Sequence, residues 1–163
     1  MSAEKFAREE LDAILAKMGI LDATDVSRYG SGHINDTFKV ETPSGKRYIL
    51  QRVNTNIFDA DLLRNNILRV TAHLKSKGIP SLDVVAYDHE WRLYSFLEGY
   101  TSRGVVDAPK QAYDVAAAFA KFQNDLADMP SPRLADIIPN FHNTPERMRQ
   151  LNDAVGVNFE DRF

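Results

Sequence analysis

The chain has 163 residues, of which 44% are hydrophobic and 26% are charged, a composition typical of a globular domain with a sizeable core. A net charge of −3 and a pI near 5.8 provide no electrostatic basis for a nucleic-acid partner. The sequence contains no apolar run of roughly 18 residues and no signal-peptide pattern, so we expect no membrane partner. Zero cysteines exclude disulfides and thiolate metal sites, which fits the cytoplasmic location that we expect.

The first predicted element is an amphipathic helix from about residue 3 to residue 18. Its apolar residues recur at the i, i+3, i+4 and i+7 positions of one helical face, and Gly19 follows as a suitable end. We expect this helix to cover a sheet or to pair with a neighbouring helix. The apolar residues are Leu11, Ile14, Leu15 and Met18.

A predicted hairpin follows the short strand Asp25 to Arg28. Phe38 and Val40 alternate with polar residues, and a second strand pattern runs from Tyr48 to Val53. The segment 42–45, with its proline and glycine, is typical of a bulged turn between two strands. The loop of residues 30–35 therefore lies at the far end of this hairpin.

This loop has two interpretations, a tight turn or a lid over nucleotide phosphates. Glycine allows the backbone to approach an anion, and free N–H groups then donate to the anion's oxygens. We expect Gly32 to adopt a positive φ, so that a β-branched residue there would block the anion. His33 is either exposed or close to phosphate. The candidate phosphate-binding residues are Gly30, Ser31, Gly32, His33, Ile34 and Asn35.

A second helix and two strands complete the predicted sheet. Asp59 is a good N-cap for a helix that ends at Gly78, and strands are predicted for residues 82–87 and 91–96. The sheet then has five antiparallel strands, with the helix inserted after the third. This order is that of kinase amino-terminal lobes and favours the phosphate-lid interpretation.

Beyond residue 99 the hydrophobic period changes from two to 3.6, which predicts helices. Asp107 is the expected cap of one helix, and Thr144 is the expected cap of another with Pro145 in its first turn. We expect their apolar faces to be core. These faces carry Val115, Phe119, Phe122 and Leu126 on the first helix, and Met148, Leu151 and Val155 on the second.

Three stretches of the sequence resemble the aminoglycoside phosphotransferase and choline kinase-like superfamily, and within it the N-acetylhexosamine 1-kinases. Residues 30–38 read GSGHINDTF, residues 48–58 read YILQRVNTNIF and residues 138–145 read IPNFHNTP. The resemblance implies an α+β protein kinase-like fold, with a nucleotide-binding lobe at 1–98 and an incomplete helical substrate lobe at 99–163. It also implies that ATP and Mg²⁺ are used and that hinge backbone groups bond the adenine edge. The hinge residues are Ser95, Phe96, Leu97 and Glu98.

The end of the third strand offers two candidates for contact with phosphate, Gln51 and Arg52. Adjacent strand residues point to opposite faces, so only one of them can face the nucleotide. A guanidinium binds phosphate oxygens bidentately, which favours Arg52 slightly. On this basis Arg52→Ala should raise the ATP dissociation constant by about tenfold or more, with a milder effect of Gln51→Ala. The second helix has no acid in its middle to pair with either residue.

His142 is the candidate substrate contact, although a hydrogen bond at the entry of the following helix is the competing role. The other histidines lack the spacing of a metal site. No His-x-Asp-x₄-Asn pattern occurs, so no catalytic residue or metal ligand is predicted, and we expect an inactive amino-terminal part of a longer kinase. Exposed helix faces should then promote self-association. The carboxylates left to consider, if the chain were active, are Asp107, Asp125, Asp136 and Asp161.

For the full-length protein, the resemblance implies transfer of the ATP γ-phosphate to the anomeric hydroxyl of an N-acetylhexosamine. Kinases of the same superfamily that act on choline, homoserine or an aminoglycoside remain alternatives, because one fold hosts many substrates. A non-catalytic nucleotide-binding module is a third possibility.

Overall fold

The computed structural model describes residues 6–101 and 104–157. Within them, four helices and a five-stranded antiparallel sheet follow each other in the predicted order, which confirms the fold class. The strand ends lie within two residues of the predicted ones. The elements are α1 (Arg8–Lys17), β1 (Asp25–Arg28), β2 (Asp36–Glu41), β3 (Arg47–Arg52), α2 (Ala60–Ser76), β4 (Val84–Asp88), β5 (Trp91–Ser95), α3 (Pro109–Leu126) and α4 (Thr144–Val157).

The strands are ordered β1-β2-β3-β5-β4 across the sheet, and α2 connects β3 to β4. The turn between β2 and β3 is closed by a hydrogen bond from the Gly45 N–H to the Thr42 carbonyl, with Gly45 at φ +78°. A left-handed residue at this place suits glycine, as predicted for a bulged hairpin. In the register, Thr37 of β2 lies opposite Gln51 of β3, which lies opposite Arg92 of β5.

The core lies between α1 and one face of the sheet. Leu15 from the helix and Leu50 and Leu93 from the central strands are fully buried there. Burying a leucine of this size contributes about 1.5–3 kcal/mol. The predicted apolar face of α1 thus covers the sheet, and Gly19, at φ +85°, follows the helix as expected. The opposite sheet face is left available for a site.

Polar contacts join α2 to the segment that follows α3. Asp59 caps α2 as predicted, since its carboxylate accepts from the Leu62 N–H at 2.9 Å. Further along, the Asn66 amide both donates to the Ala135 carbonyl at 2.8 Å and accepts from the Ala135 N–H at 3.0 Å. The Arg69 guanidinium donates to backbone carbonyls of the same segment. The middle of α2, which contains no acidic residue, therefore binds the backbone of the segment after α3 through Asn66 and Arg69.

The predicted caps of the last two helices are wrong. Asp107 does not cap α3, whose N-cap position is Ala108 without a side-chain bond. At α4, the Glu146 N–H donates to the Asn143 side chain at 3.2 Å, so the cap is Asn143 and not Thr144. A one-residue error of this kind is expected where several hydrogen-bonding side chains adjoin a proline.

Among the described residues the apolar faces of α3 and α4 are exposed, as expected for an amino-terminal part of a longer kinase, and they do not form the core that their periodicity alone predicts. Phe119 is 67% exposed and Met148 is 50% exposed, and no residue of either helix is buried within the described ranges. Periodicity identifies which side of a helix is apolar, but it does not supply the surface that covers it. No helix among residues 6–101 and 104–157 is both long and apolar enough to cross a bilayer.

We predict that the 163-residue chain self-associates through these helix faces, because water contact with a contiguous apolar surface is unfavourable. Light scattering should give a concentration-dependent mass above 18.4 kDa. Phe119→Asp should lower that mass, whereas Ala117→Asp, on the opposite side of α3, should leave it unchanged. A monomeric chain at all concentrations would contradict the prediction.

Candidate functional site

A cavity of about 360 Å³ lies on the sheet face away from α1, where the chain leaves β5. Alternation along the strands brings Ile49 and Tyr94, which are register partners, to this face. Tyr29, at the end of β1, lines the same cavity. Its walls are formed by Tyr29, Ile49, Gln51, Leu82, Arg92, Tyr94, Ser95, Phe96, Leu97, Tyr100 and Thr101.

The predicted hinge forms one end of this cavity. The N–H groups of Ser95 and Phe96 donate to backbone carbonyls at 2.9 and 3.0 Å and are already used. Leu97 lines the cavity, and its N–H makes no hydrogen bond to the described residues. Among the hinge N–H groups in the cavity wall, that of Leu97 is therefore the one open to a ligand.

Glu98, the last predicted hinge residue, is not part of the cavity wall. Its carboxylate accepts both a 2.9 Å bond and a second, shorter bond from Arg47. The Arg47 guanidinium also lies 4.7 Å from the centre of the Phe96 ring, and the hydrogen bond that it donates to Glu98 raises the pKa of Arg47. Glu98 thus holds Arg47 against the hinge instead of contacting the cavity.

The glycine loop lies at the opposite end of the same strands. A positive φ is expected for Gly32, but that prediction is wrong, because Gly32 is outside the left-handed region. The positive φ in this loop, +80°, belongs to Gly30. Asn35 fastens the loop to the end of β3, because its side chain accepts from the Asn54 N–H at 2.9 Å. Residues 30–33 are exposed and Ile34 lines other cavities, so none of the loop residues 30–35 is in the wall of the first cavity.

The structure places Gln51, and not Arg52, on the sheet face that lines the first cavity. Gln51 lines the cavity, whereas Arg52 lies on the α1 face of the sheet, 3.2 Å from the Glu90 carboxylate and 5.4 Å from the Phe6 ring centre. The preference for Arg52 was based on its chemistry, but the alternation of the strand decides its direction. The predicted order of the two alanine substitutions is therefore reversed for a ligand in this cavity.

Sequence reasoning missed Arg92, a buried arginine in the cavity wall. It is 9% exposed, and its Nε and Nη2 donate to the Gln51 side-chain oxygen at 3.0 and 2.5 Å. Within the described residues it has no carboxylate partner. The signal in the sequence was an arginine between Trp91 and Leu93, two apolar residues that alternation places on the core face.

His142, the candidate substrate residue, is exposed and contacts the Phe141 ring at 4.1 Å between centroids. It makes no hydrogen bond to the described residues, so the alternative role at the helix entry belongs to Asn143 instead. The flanking residues Asn140, Phe141 and Asn143 line a second cavity of about 690 Å³, which Ile34 also borders. The glycine loop and the segment that contains His142 therefore border the same cavity.

The carboxylates of the described residues form no group of three or more His, Asp or Glu side chains able to hold a metal ion. Asp125 pairs with Lys121, and Asp136 pairs with Arg133. Asp161 lies outside the described residues. The described carboxylates therefore do not fit a magnesium site.

Residues 25–162 match the model of a known family, the phosphotransferase enzyme family. A solved structure of the aminoglycoside phosphotransferase APH(2″)-IIa, in a ternary complex with streptomycin and ATP, superimposes with a TM-score of 0.55 at 12% identity. The match covers 97% of this chain and 53% of that one, so the chain spans about half the length of that protein. A Thermobifida fusca protein assigned as a fructosamine-3-kinase has a TM-score of 0.46 at 17% identity, over 60% of this chain and 34% of its own.

We predict that the stability of the folded chain falls above pH 10 because of Tyr94. Burial raises the pKa of its hydroxyl to about 12, partly opposed by the charge of Arg92. Below the unfolded pKa of about 10 this contribution is fully present. Between pH 10 and 12 the unfolded chain loses the proton first, so the unfolding free energy should fall by up to about 1.4 kcal/mol per pH unit.

The free energy of unfolding, measured with urea at pH 9, 10 and 11, gives its dependence on pH. Tyr94→Phe should make this pH dependence weaker. Tyr87, whose pKa burial also raises, accounts for part of the remainder. Tyr113→Phe is the matched control, since Tyr113 is 73% exposed. An identical slope in the wild-type chain and in Tyr94→Phe would contradict the prediction.

Proposed function

Because this chain belongs to the phosphotransferase enzyme family, we propose that it is the nucleotide-binding part of an ATP-dependent small-molecule kinase. The observation that carries the proposal is the order of groups along the first cavity. At the hinge end are the Leu97 N–H, Ile49 and Tyr94, and toward the glycine loop are Gln51 and Arg92. An adenine ring suits the apolar end, and phosphates suit the cationic end.

In this proposal residues 1–98 are the nucleotide-binding lobe and residues 99–163 belong to a helical substrate lobe. The chain orients ATP, with the Leu97 N–H as donor to the base and the loop containing Gly30 near the phosphates. The exposed backbone of the loop supports this role, because glycine lets a backbone approach an anion closely. Orientation by fixed donors is a large part of phosphoryl-transfer catalysis.

The acceptor is proposed to be the anomeric hydroxyl of an N-acetylhexosamine. Support comes from the resemblance of residues 30–38, 48–58 and 138–145, and from the second cavity, which the loop residue Ile34 and the neighbours of His142 share. That cavity would place His142 near a substrate beside the phosphate end. Choline, homoserine and aminoglycosides are the alternative acceptors for the same fold.

Calorimetric titration with ATP and adenosine tests the nucleotide site. Both ligands should bind the wild-type chain. Ile49→Trp should abolish the binding of ATP and of adenosine, because the larger side chain fills the apolar end of the cavity. Val85→Trp is the control, because Val85 lies on β4 outside the cavity wall and is 44% exposed. Failure of the wild-type chain to bind either ligand would refute the proposed function.

We further predict that this 163-residue chain releases no ADP in the presence of N-acetylglucosamine or N-acetylgalactosamine with ATP and Mg²⁺. Its sequence has no His-x-Asp-x₄-Asn motif to supply the proton acceptor and the metal ligand. Sugar-dependent ADP release, measured with a coupled assay, would contradict this. The search for its source would then begin with Asp136, which lines the second cavity.

A further inference from the structure

The phosphate end of the proposed nucleotide site needs a cation, and β3 does not supply one on the cavity face. Its arginine, Arg52, is turned to the other face and pairs with Glu90. Arg47 is also on the cavity face of β3, but it lies at the hinge end and is held by Glu98 outside the cavity wall. Among the described residues, Arg92 is the arginine or lysine that lines this cavity.

Arg92 is buried, and no carboxylate among the described residues neutralises its charge. A guanidinium has five N–H donors, and the described residues engage only its Nε and Nη2, both with one oxygen of Gln51. The Tyr94 ring centre lies 5.5 Å away. Buried charges in proteins are normally paired, so a guanidinium open to a cavity is suited to an anionic ligand.

Gln51 orients this guanidinium without cancelling its charge. The Gln51 amide nitrogen donates to the Thr37 hydroxyl at 2.8 Å, which turns the amide oxygen toward Arg92. The three residues are register partners on β2, β3 and β5, so the sheet itself fixes their spacing. An amide oxygen is a neutral acceptor, and the full positive charge therefore remains for a ligand.

The position of Arg92 fits the length of a nucleotide. It is two residues from Tyr94 along β5, a distance of about 7 Å at the usual strand rise, and it lies on the glycine-loop side. A second cation is near: the Arg64 guanidinium lies 4.9 Å from the centre of the Tyr87 ring, and Tyr87 is the register partner of Arg92. The buried Tyr87 hydroxyl has no hydrogen-bond partner among the described residues.

We infer that Arg92, held by Gln51 and Thr37, is the phosphate-binding side chain of this site, so that β5 supplies the cation expected at the end of β3. The inference rests on the proposed nucleotide-binding function. It assigns Arg92 direct contact with the ligand's phosphate oxygens and makes Gln51 a positioning residue. The uncommitted N–H groups of the guanidinium donate to those oxygens.

The test compares ATP with adenosine, because only ATP carries the phosphates. Arg92→Met should raise the dissociation constant for ATP by about tenfold or more and leave that for adenosine within about twofold, since charge-assisted bonds are lost only with ATP. Arg52→Met is the matched control on the other sheet face and should change neither constant. The constants are measured by calorimetry on the 163-residue chain.

Gln51→Glu separates phosphate binding from a structural role. A carboxylate at residue 51 would still hold the guanidinium but would neutralise it, so ATP affinity should fall by about tenfold while adenosine affinity is kept. If Arg92 is only structural, Gln51→Glu should weaken ATP binding no more than Leu82→Glu does, since Leu82 also lines the cavity. The adenosine affinity and melting temperature of Arg92→Met show whether that variant folds. If it does not fold, Gln51→Glu still tests the role of Arg92.

The outcomes separate the inference from the function on which it rests. If the wild-type chain binds ATP more tightly than adenosine, but Arg92→Met binds ATP like the wild type and Gln51→Glu binds it no more weakly than Leu82→Glu, the inference is wrong and the nucleotide site stands. If the wild-type chain binds neither ligand, the proposed function is refuted and the inference with it.

Discussion

The structure depends on the division of the sheet into two faces by the alternation of β3 and β5. Leu50 and Leu93 point toward α1 and are fully buried, so their neighbours must point the other way. Those neighbours are the side chains that line the first cavity. Burial of the α1 face therefore fixes the direction of every residue on the cavity face, because a shift of one residue would expose the core.

Hydrogen bonds across the strands then give the cavity its chemical character. A chain of side-chain hydrogen bonds crosses three adjacent strands, from Thr37 through Gln51 to the guanidinium of Arg92. At the hinge end, the Arg47–Glu98 pair holds a second arginine outside the cavity wall. Within the part of the chain that the structure describes, Arg47 is neutralised by a carboxylate and Arg92 is not, which separates an apolar end from a cationic end on a single sheet face.

The helical segments are attached to the sheet through α2 and by polar contacts. The Asn66 side-chain amide donates to the Ala135 carbonyl and accepts from the Ala135 N–H, as a paired strand backbone would. Asp128 accepts from Lys77, and this bond lowers the pKa of Asp128. These contacts position the stretch that leads to His142, while the apolar faces of α3 and α4 remain exposed among the described residues. Hydrogen bonds between residues distant in the chain therefore hold the segment that lines the second cavity.

The sequence by itself determined the order of the elements, the face of α1 that is buried, the Asp59 cap and the glycine that ends each of the first two helices. These follow from periodicity and from backbone preferences that act within a few residues. The direction of Gln51 and Arg52, the partner of Glu98 and the burial of Arg92 depended on register between strands distant in the chain. Only the tertiary structure decided them, because a side chain's chemistry does not specify which residues surround it.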